Sequence, residues 1–199
     1  GMTFEDALKL AQELGYAEKD PTADVEGHDA CRKICIISSL VFGKHVYPDS
    51  VYTKGISDVK LCDVAAADVL GYAVKLIASV KRLENGKILP TVMPMLVPHE
   101  SIMAGVNDVF NAVMVYADGI DKAMFYGRGA GKLPTASAVV ADVIDCAKHQ
   151  KERKDIFWES SSSDCINDCG NMSCKRYVRY SDCVDTTELQ KIFNDTQII

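Results

Sequence analysis

The densest group of side chains able to do chemistry lies early in the chain. It comprises Glu18, Asp20, Asp24, Glu26, Asp29 and Lys33. Asp29 and Lys33 are four residues apart, so on a helix they share one face. Asp24 lies where it can cap that helix. These residues support two readings. One is a capped helix carrying a surface ion pair. The other is a site in which carboxylates hold an ammonium group and a lysine moves a proton. Spacing alone does not choose between them.

A second candidate is the glycine loop Gly127-Arg128-Gly129-Ala130-Gly131. Set before a helix, it can bring backbone close to a ligand, with free amides at the helix N-terminus. It can equally be a tight strand-to-helix turn. It is not a GxGxxG fingerprint, and Leu133 after Gly131-Lys132 excludes a Walker loop. No segment reads as a complete dinucleotide-binding fold. His28, His45, His99 and His149 are scattered without ligand spacing. Cys165, Cys169, Cys174 and Cys183 lack the C-x2-C pairs of common zinc sites and read as plain thiols. No metal is expected.

The elements that must position these residues follow from periodicity. Residues 3–14 have helical spacing, with Thr3 as N-cap and Gly15 as the stop. After a polar loop containing Pro21, a second helix is expected over 24–42, from Val25, Ala30, Ile34, Ile37 and Val41. A short helix over 61–70 closes at Gly71. Residues 72–83 alternate as a strand and meet Asn85-Gly86, a hairpin signal. The return strand, 87–97, carries Pro90 and Pro94, with Pro98 just after, and is expected at an edge or irregular. A short helix at 99–106 precedes a second hairpin, 108–117 and 121–126, around Asp118-Gly119. A long helix over 134–149 starts at Pro134. This order predicts an α+β fold, a mostly antiparallel or mixed sheet with helices packed on one face. Residues 2–150 form the expected domain. Residues 151–199, with a charged run and the serines 160–163, read as linker and tail.

Composition narrows the function classes. The 199 residues are 48% hydrophobic and 25% charged, enough for a real core. A net charge of −6 argues against nucleic acid, which needs a basic face. No apolar run reaches membrane-spanning length, and the first residues do not read as a secretory signal. A reducing, cytoplasmic setting is expected, with Cys31, Cys35, Cys62 and Cys146 as buried thiols. Gly1 before Met2 reads as an expression scar.

The stretch from Ala11 to Lys33 resembles the signature segment of homoserine dehydrogenases. The defining positions are Ala11, Gly15, Tyr16, Ala17, Asp20, Pro21, Asp24, Val25, Gly27, Asp29 and Lys33. Residues 108–118 and 124–145 are similar to two further blocks of that family, so the resemblance covers about residues 3–149. It implies that Lys33 is the catalytic lysine, the proton donor when aspartate semialdehyde is reduced. It implies that Glu18 and Asp29 hold the amino-acid substrate, and that Gly15 and Gly131 lie near the cofactor. The cofactor would be NAD or NADP, bound mainly by a nucleotide domain that this chain lacks, so the chain alone is expected to be inactive. The implied reaction interconverts L-homoserine and L-aspartate 4-semialdehyde, in threonine, methionine and isoleucine biosynthesis. The implied assembly is a homodimer. Outward strand residues at the interface would come from Val74, Leu76, Val113 and Val115. Residues 175–193 faintly resemble the opening of a regulatory module. The alternative is a non-catalytic dimerisation or amino-acid-binding module that has kept the fold.

Overall fold

A computed structural model of the chain describes residues 2–152, 157–160, 163–180 and 186–192. Helix α1 runs Phe4–Glu13, and the Thr3 hydroxyl accepts the Asp6 amide at its start. Gly15 ends it with a φ of +74°. The single helix expected over 24–42 is two helices, α2 (Thr22–Val25) and α3 (His28–Phe42). Gly27 separates them in a left-handed conformation, φ +76°. Only glycine adopts that φ without penalty. Space is also tight there, because a Cβ on Gly27 would sit 3.1 Å from the Val92 side chain. Asp24 is therefore not the cap of the long helix. It lies inside α2, where its carbonyl accepts the Gly27 amide.

Strand β1 (Tyr52–Thr53) is short, and helix α4 spans Leu61–Val69. The first hairpin pairs β2 (Tyr72–Arg82) with β3 (Ile88–Pro98) over their whole length. Gly86, φ +77°, closes its turn. The second hairpin pairs β4 (Phe110–Ala117) with β5 (Asp121–Arg128). The chain reverses through residues 118–120, and Asp121, φ +55°, takes the left-handed position after them. Helix α5 covers Lys132–Lys148, so Pro134 lies in its first turn, where a missing amide costs nothing. Helix α6 spans Thr186–Ile192. The segment 99–106 forms only a short 3-10 turn, Ile102–Gly105. Cys183 and residues 161–162 of the serine run lie outside the described residues.

The α+β class holds, but the strands form two sheets. One is mixed, in the order β1-β3-β2, and the other is the β4-β5 ribbon. β3 is therefore the middle strand beside β1, not an edge throughout. Its prolines fit because all are even-numbered. The Lys54 amide donates to the Val92 carbonyl at 2.8 Å, which places the polar groups of even-numbered residues on the β1 side. Pro90, Pro94 and Pro98 thus remove no donor from the β2–β3 ladder.

The core lies between α3 and the even-numbered face of this sheet. Cys31, Ile34 and Cys35 of α3 pack with Val46, Val51, Ile88 and the fully buried Val92, and Leu76, Ala78 and Val80 lie against them. Leu76 therefore faces the helices, and Val74 shares its side of the strand. Neither is on the outward face assigned to them from sequence. Val113 and Val115 are exposed, as expected of outward residues. Cys31 and Cys35 are buried, and burial, reinforced by Cys31, pushes the Cys35 thiol up to about 12. Cys62 and Cys146 are exposed, not buried as expected; α5, which carries Cys146, buries none of its residues.

Candidate functional site

The first turns of α3 carry the central pair. Lys33 Nζ lies 2.6 Å from Asp29 Oδ2, one helical turn apart, with the two side chains 63% and 41% exposed. On the opposite face of the same turns Cys31 and Ile34 enter the core, which fixes the helix and so aims the pair. The site is open to solvent, and the pair's own contribution to stability is small.

Glu18 lies exposed in the loop between α1 and α2. The Gln12 side chain donates to the carbonyls of Glu18 at 3.0 Å and Lys19 at 3.4 Å, so α1 sets the course of that loop. Next, Asp20 accepts the hydroxyl of Thr22 at 2.6 Å and its amide at 3.1 Å. The hydroxyl bond, then the amide bond, holds the Asp20 carboxyl below its ordinary value. A carboxylate committed to starting α2 is a scaffold group. Gly15 and Gly131 occupy separate turns, at the end of α1 and the head of α5.

The glycine loop has local reasons for its composition. A side chain on Gly129 would collide with the Asn111 amide, and Gly131 takes a φ of +113°. No side chain caps α5, which leaves its first amides available.

One set of supporting groups has no motif in the sequence. The loop after β1 is fastened to the α2–α3 corner: the Ile56 amide donates to the Val25 carbonyl at 2.9 Å, and the Ser57 hydroxyl donates to the Glu26 carboxylate. Gly55 lies so close to Val25 and Glu26 that a Cβ would strike their backbone. The sequence offered no signal for them, since Gly55 follows no strand expected from periodicity and its burial shows only in the structure.

Comparison with known proteins shows the family of the chain. The sequence profile of homoserine dehydrogenase matches residues 1–144. A homoserine dehydrogenase of Pseudomonas aeruginosa is 49% identical over 148 residues, which cover 74% of this chain and 34% of that protein. One from Corynebacterium glutamicum is 46% identical over 154 residues, covering 75% and 35%. Among solved structures, a homoserine dehydrogenase from Thiobacillus denitrificans superposes with a TM-score of 0.71 at 41% identity, over 84% of this chain and 39% of that one. A hyperthermophilic archaeal homoserine dehydrogenase in complex with NADPH superposes with a TM-score of 0.58 at 28% identity, over 74% and 41%. This chain spans about a third of the length of the sequence relatives. With the signature segment running from the end of α1 through α2 into α3, the Asp29–Lys33 pair at its end and this match over most of its length, the chain belongs to the homoserine dehydrogenase family.

Proposed function

We propose that this chain supplies the substrate-binding and proton-transfer groups of an NAD(P)-dependent homoserine dehydrogenase, which interconverts L-homoserine and L-aspartate 4-semialdehyde. The observation that carries this reading is the solvent-open Asp29–Lys33 pair at 2.6 Å, on a helix whose other face is locked into the core.

Lys33 Nζ gives a proton to the substrate oxygen during aldehyde reduction and takes one during alcohol oxidation. Negative charge builds on that oxygen as the carbonyl is reduced, and an ammonium group beside it lowers the barrier by charge and by proton transfer. Asp29 holds the Lys33 head in place. Together with Glu18 it offers carboxylate oxygens to the substrate's α-ammonium group. The nicotinamide cofactor, when bound, supplies or accepts the hydride. The uncapped amides at the head of α5 and the bare turn at Gly15 suit contact with part of a nucleotide. The described residues contain no parallel sheet with a phosphate-binding glycine turn, so they would hold an edge of the cofactor, NAD or NADP, and not the whole.

The working form is a homodimer in the cytoplasm. Val113, Val115 and Phe125 crowd one face of the β4-β5 ribbon and are exposed, as is common for surface buried between copies. No described helix is long and apolar enough to cross a membrane.

The test is steady-state oxidation of homoserine by an active enzyme carrying this segment, with NAD and with NADP. Homoserine-dependent reduction of the nucleotide that falls sharply in Lys33→Ala is expected. Absence of homoserine-dependent turnover, or full turnover without Lys33, overturns the reading.

A further inference from the structure

Beyond residue 144, where the family profile ends, the chain returns to the domain. Glu159 exchanges backbone hydrogen bonds with Gly43 and His45, each at 2.9 Å, and Asn167 donates to the Ile88 carbonyl at 2.8 Å. The chain then reaches α4. The Tyr177 hydroxyl donates to Asp63 Oδ1 at 2.9 Å, and the Arg179 guanidinium pairs with Asp63 Oδ2. Arg179 Nη2 also donates to the Asp58 carbonyl at 3.5 Å. Asp63 itself accepts the Lys60 amide at 2.8 Å, and its side chain is only 10% exposed. One nearly buried carboxylate thus joins the returning tail to the loop that opens α4.

That loop leads to the candidate site. Ile56 and Ser57 hold Val25 and Glu26, and Gly55 lies in direct backbone contact with both. Glu26 and Gly27 are the corner from which α3 departs, and Asp29 and Lys33 are in its first two turns. The other ion pair on the loop, Lys54–Asp58 at 3.2 Å, is exposed and holds it weakly. Charge-assisted hydrogen bonds to a desolvated carboxylate are the stronger fastening.

We infer that Tyr177 and Arg179 are positioning residues for the substrate site, acting through Asp63 and residues 55–58 on the α2–α3 corner. The inference rests on the proposed function for what the site binds; the mechanical link stands apart from it. Loss of Arg179 leaves the Asp63 carboxylate short of its cation and frees the loop from the tail. The corner that aims Asp29 then has a wider range of positions.

The test uses Arg179→Gln, Tyr177→Phe and the conservative Arg179→Lys. In the 199-residue chain, amide hydrogen exchange is compared with that of the parent. Arg179→Gln is expected to speed exchange at 25–30 and 55–60 by about threefold or more, with 110–128 unchanged. In an active enzyme carrying this segment, the same variant raises the homoserine KM about two- to thirtyfold while kcat and the nucleotide KM stay within about twofold. Arg179→Lys recovers part of the loss, and Tyr177→Phe gives a smaller effect. Unchanged exchange at 25–30 overturns the inference, as does a uniform rise across the chain, which would mark simple destabilisation. An unchanged homoserine KM in an enzyme that still depends on Lys33 also overturns it and leaves the proposed function intact. Turnover that does not depend on Lys33 removes the proposed function, and the exchange data still decide the link.

Discussion

Replacing Lys33 by alanine separates a catalytic lysine from a decorative ion pair, because the two roles predict costs of different size in different assays. The pair spans 2.6 Å, but with 63% and 41% of the side chains exposed, solvent screening leaves it worth less than about 1 kcal/mol. Alanine is also the best helix former, so the exposed face of α3 loses little else. For a protein of this size, 1 kcal/mol moves the thermal midpoint by about 2–4 °C. A proton-transfer group lost from the reaction lowers turnover by about 10²–10⁴-fold. At 1.36 kcal/mol per tenfold, that is about 3–5 kcal/mol of barrier. The chemical cost therefore exceeds the folding cost several times over. The assay is steady-state kinetics in both directions beside a thermal melt of the same preparation. Turnover within tenfold of the parent, in a variant that melts like the parent, would refute the reasoning. So would a melt lowered by about 10 °C or more, which would make Lys33 a structural residue.

Other perturbations test neighbouring steps. Glu18→Gln is expected to raise the homoserine KM more than it lowers kcat, since it removes binding common to substrate and transition state; equal falls in kcat and kcat/KM would contradict that role. Gly55→Ala forces a Cβ against the backbone of Val25 and Glu26 and should cost about 1–3 kcal/mol in chemical denaturation; a loss under about 0.5 kcal/mol would mean the corner gives way freely. Burial raises the Asp63 carboxyl, but the bonds from Lys60, Tyr177 and Arg179 outweigh it and hold it below the ordinary carboxylate range. Its folded value is the lower one, so it stabilises the fold above pH of about 4, and that contribution disappears as pH falls through the folded value. Parent and Asp63→Asn should therefore differ at neutral pH and converge in acid, as followed by circular dichroism; a gap that widens on acidification is the contrary result. Val113→Lys with Phe125→Lys should convert a sedimenting dimer to monomer with the fold retained, and a parent that is monomeric at micromolar concentration would dismiss that interface.

Local signals carried much of this architecture. The helical spacing of α1 and α3, the turn at Asn85-Gly86 and the pairing of Asp29 with Lys33 all depend on residues a few positions apart. What was missed depends on distant ones. Gly27 breaks a helical pattern because Val92, on the sheet, leaves no room beside it. Strand alternation in β2 was visible, but which side met the helices was not, since period two has no preferred face. Leu76 was misplaced for that reason. Nothing local revealed that the two hairpins belong to separate sheets. In the site, Ser57 reaches Glu26 across 31 positions and Arg179 reaches Asp63 across 116, and no periodicity announces contacts at such separations.

The even numbering of the β3 prolines has an effect outside the folded monomer. β1 covers β3 at Thr91 and Val92, and the Asn167 amide donates to the Ile88 carbonyl, so among the described residues the stretch past Val92 is the part of that side with no strand beside it. An open row of amides and carbonyls recruits strands from other molecules and seeds aggregates. Here Pro94 and Pro98 interrupt the row, presenting carbonyls with no amides between which an incoming strand could register. The same two residues that leave the β2 ladder whole thus act as gatekeepers against cross-molecular zippering along that stretch.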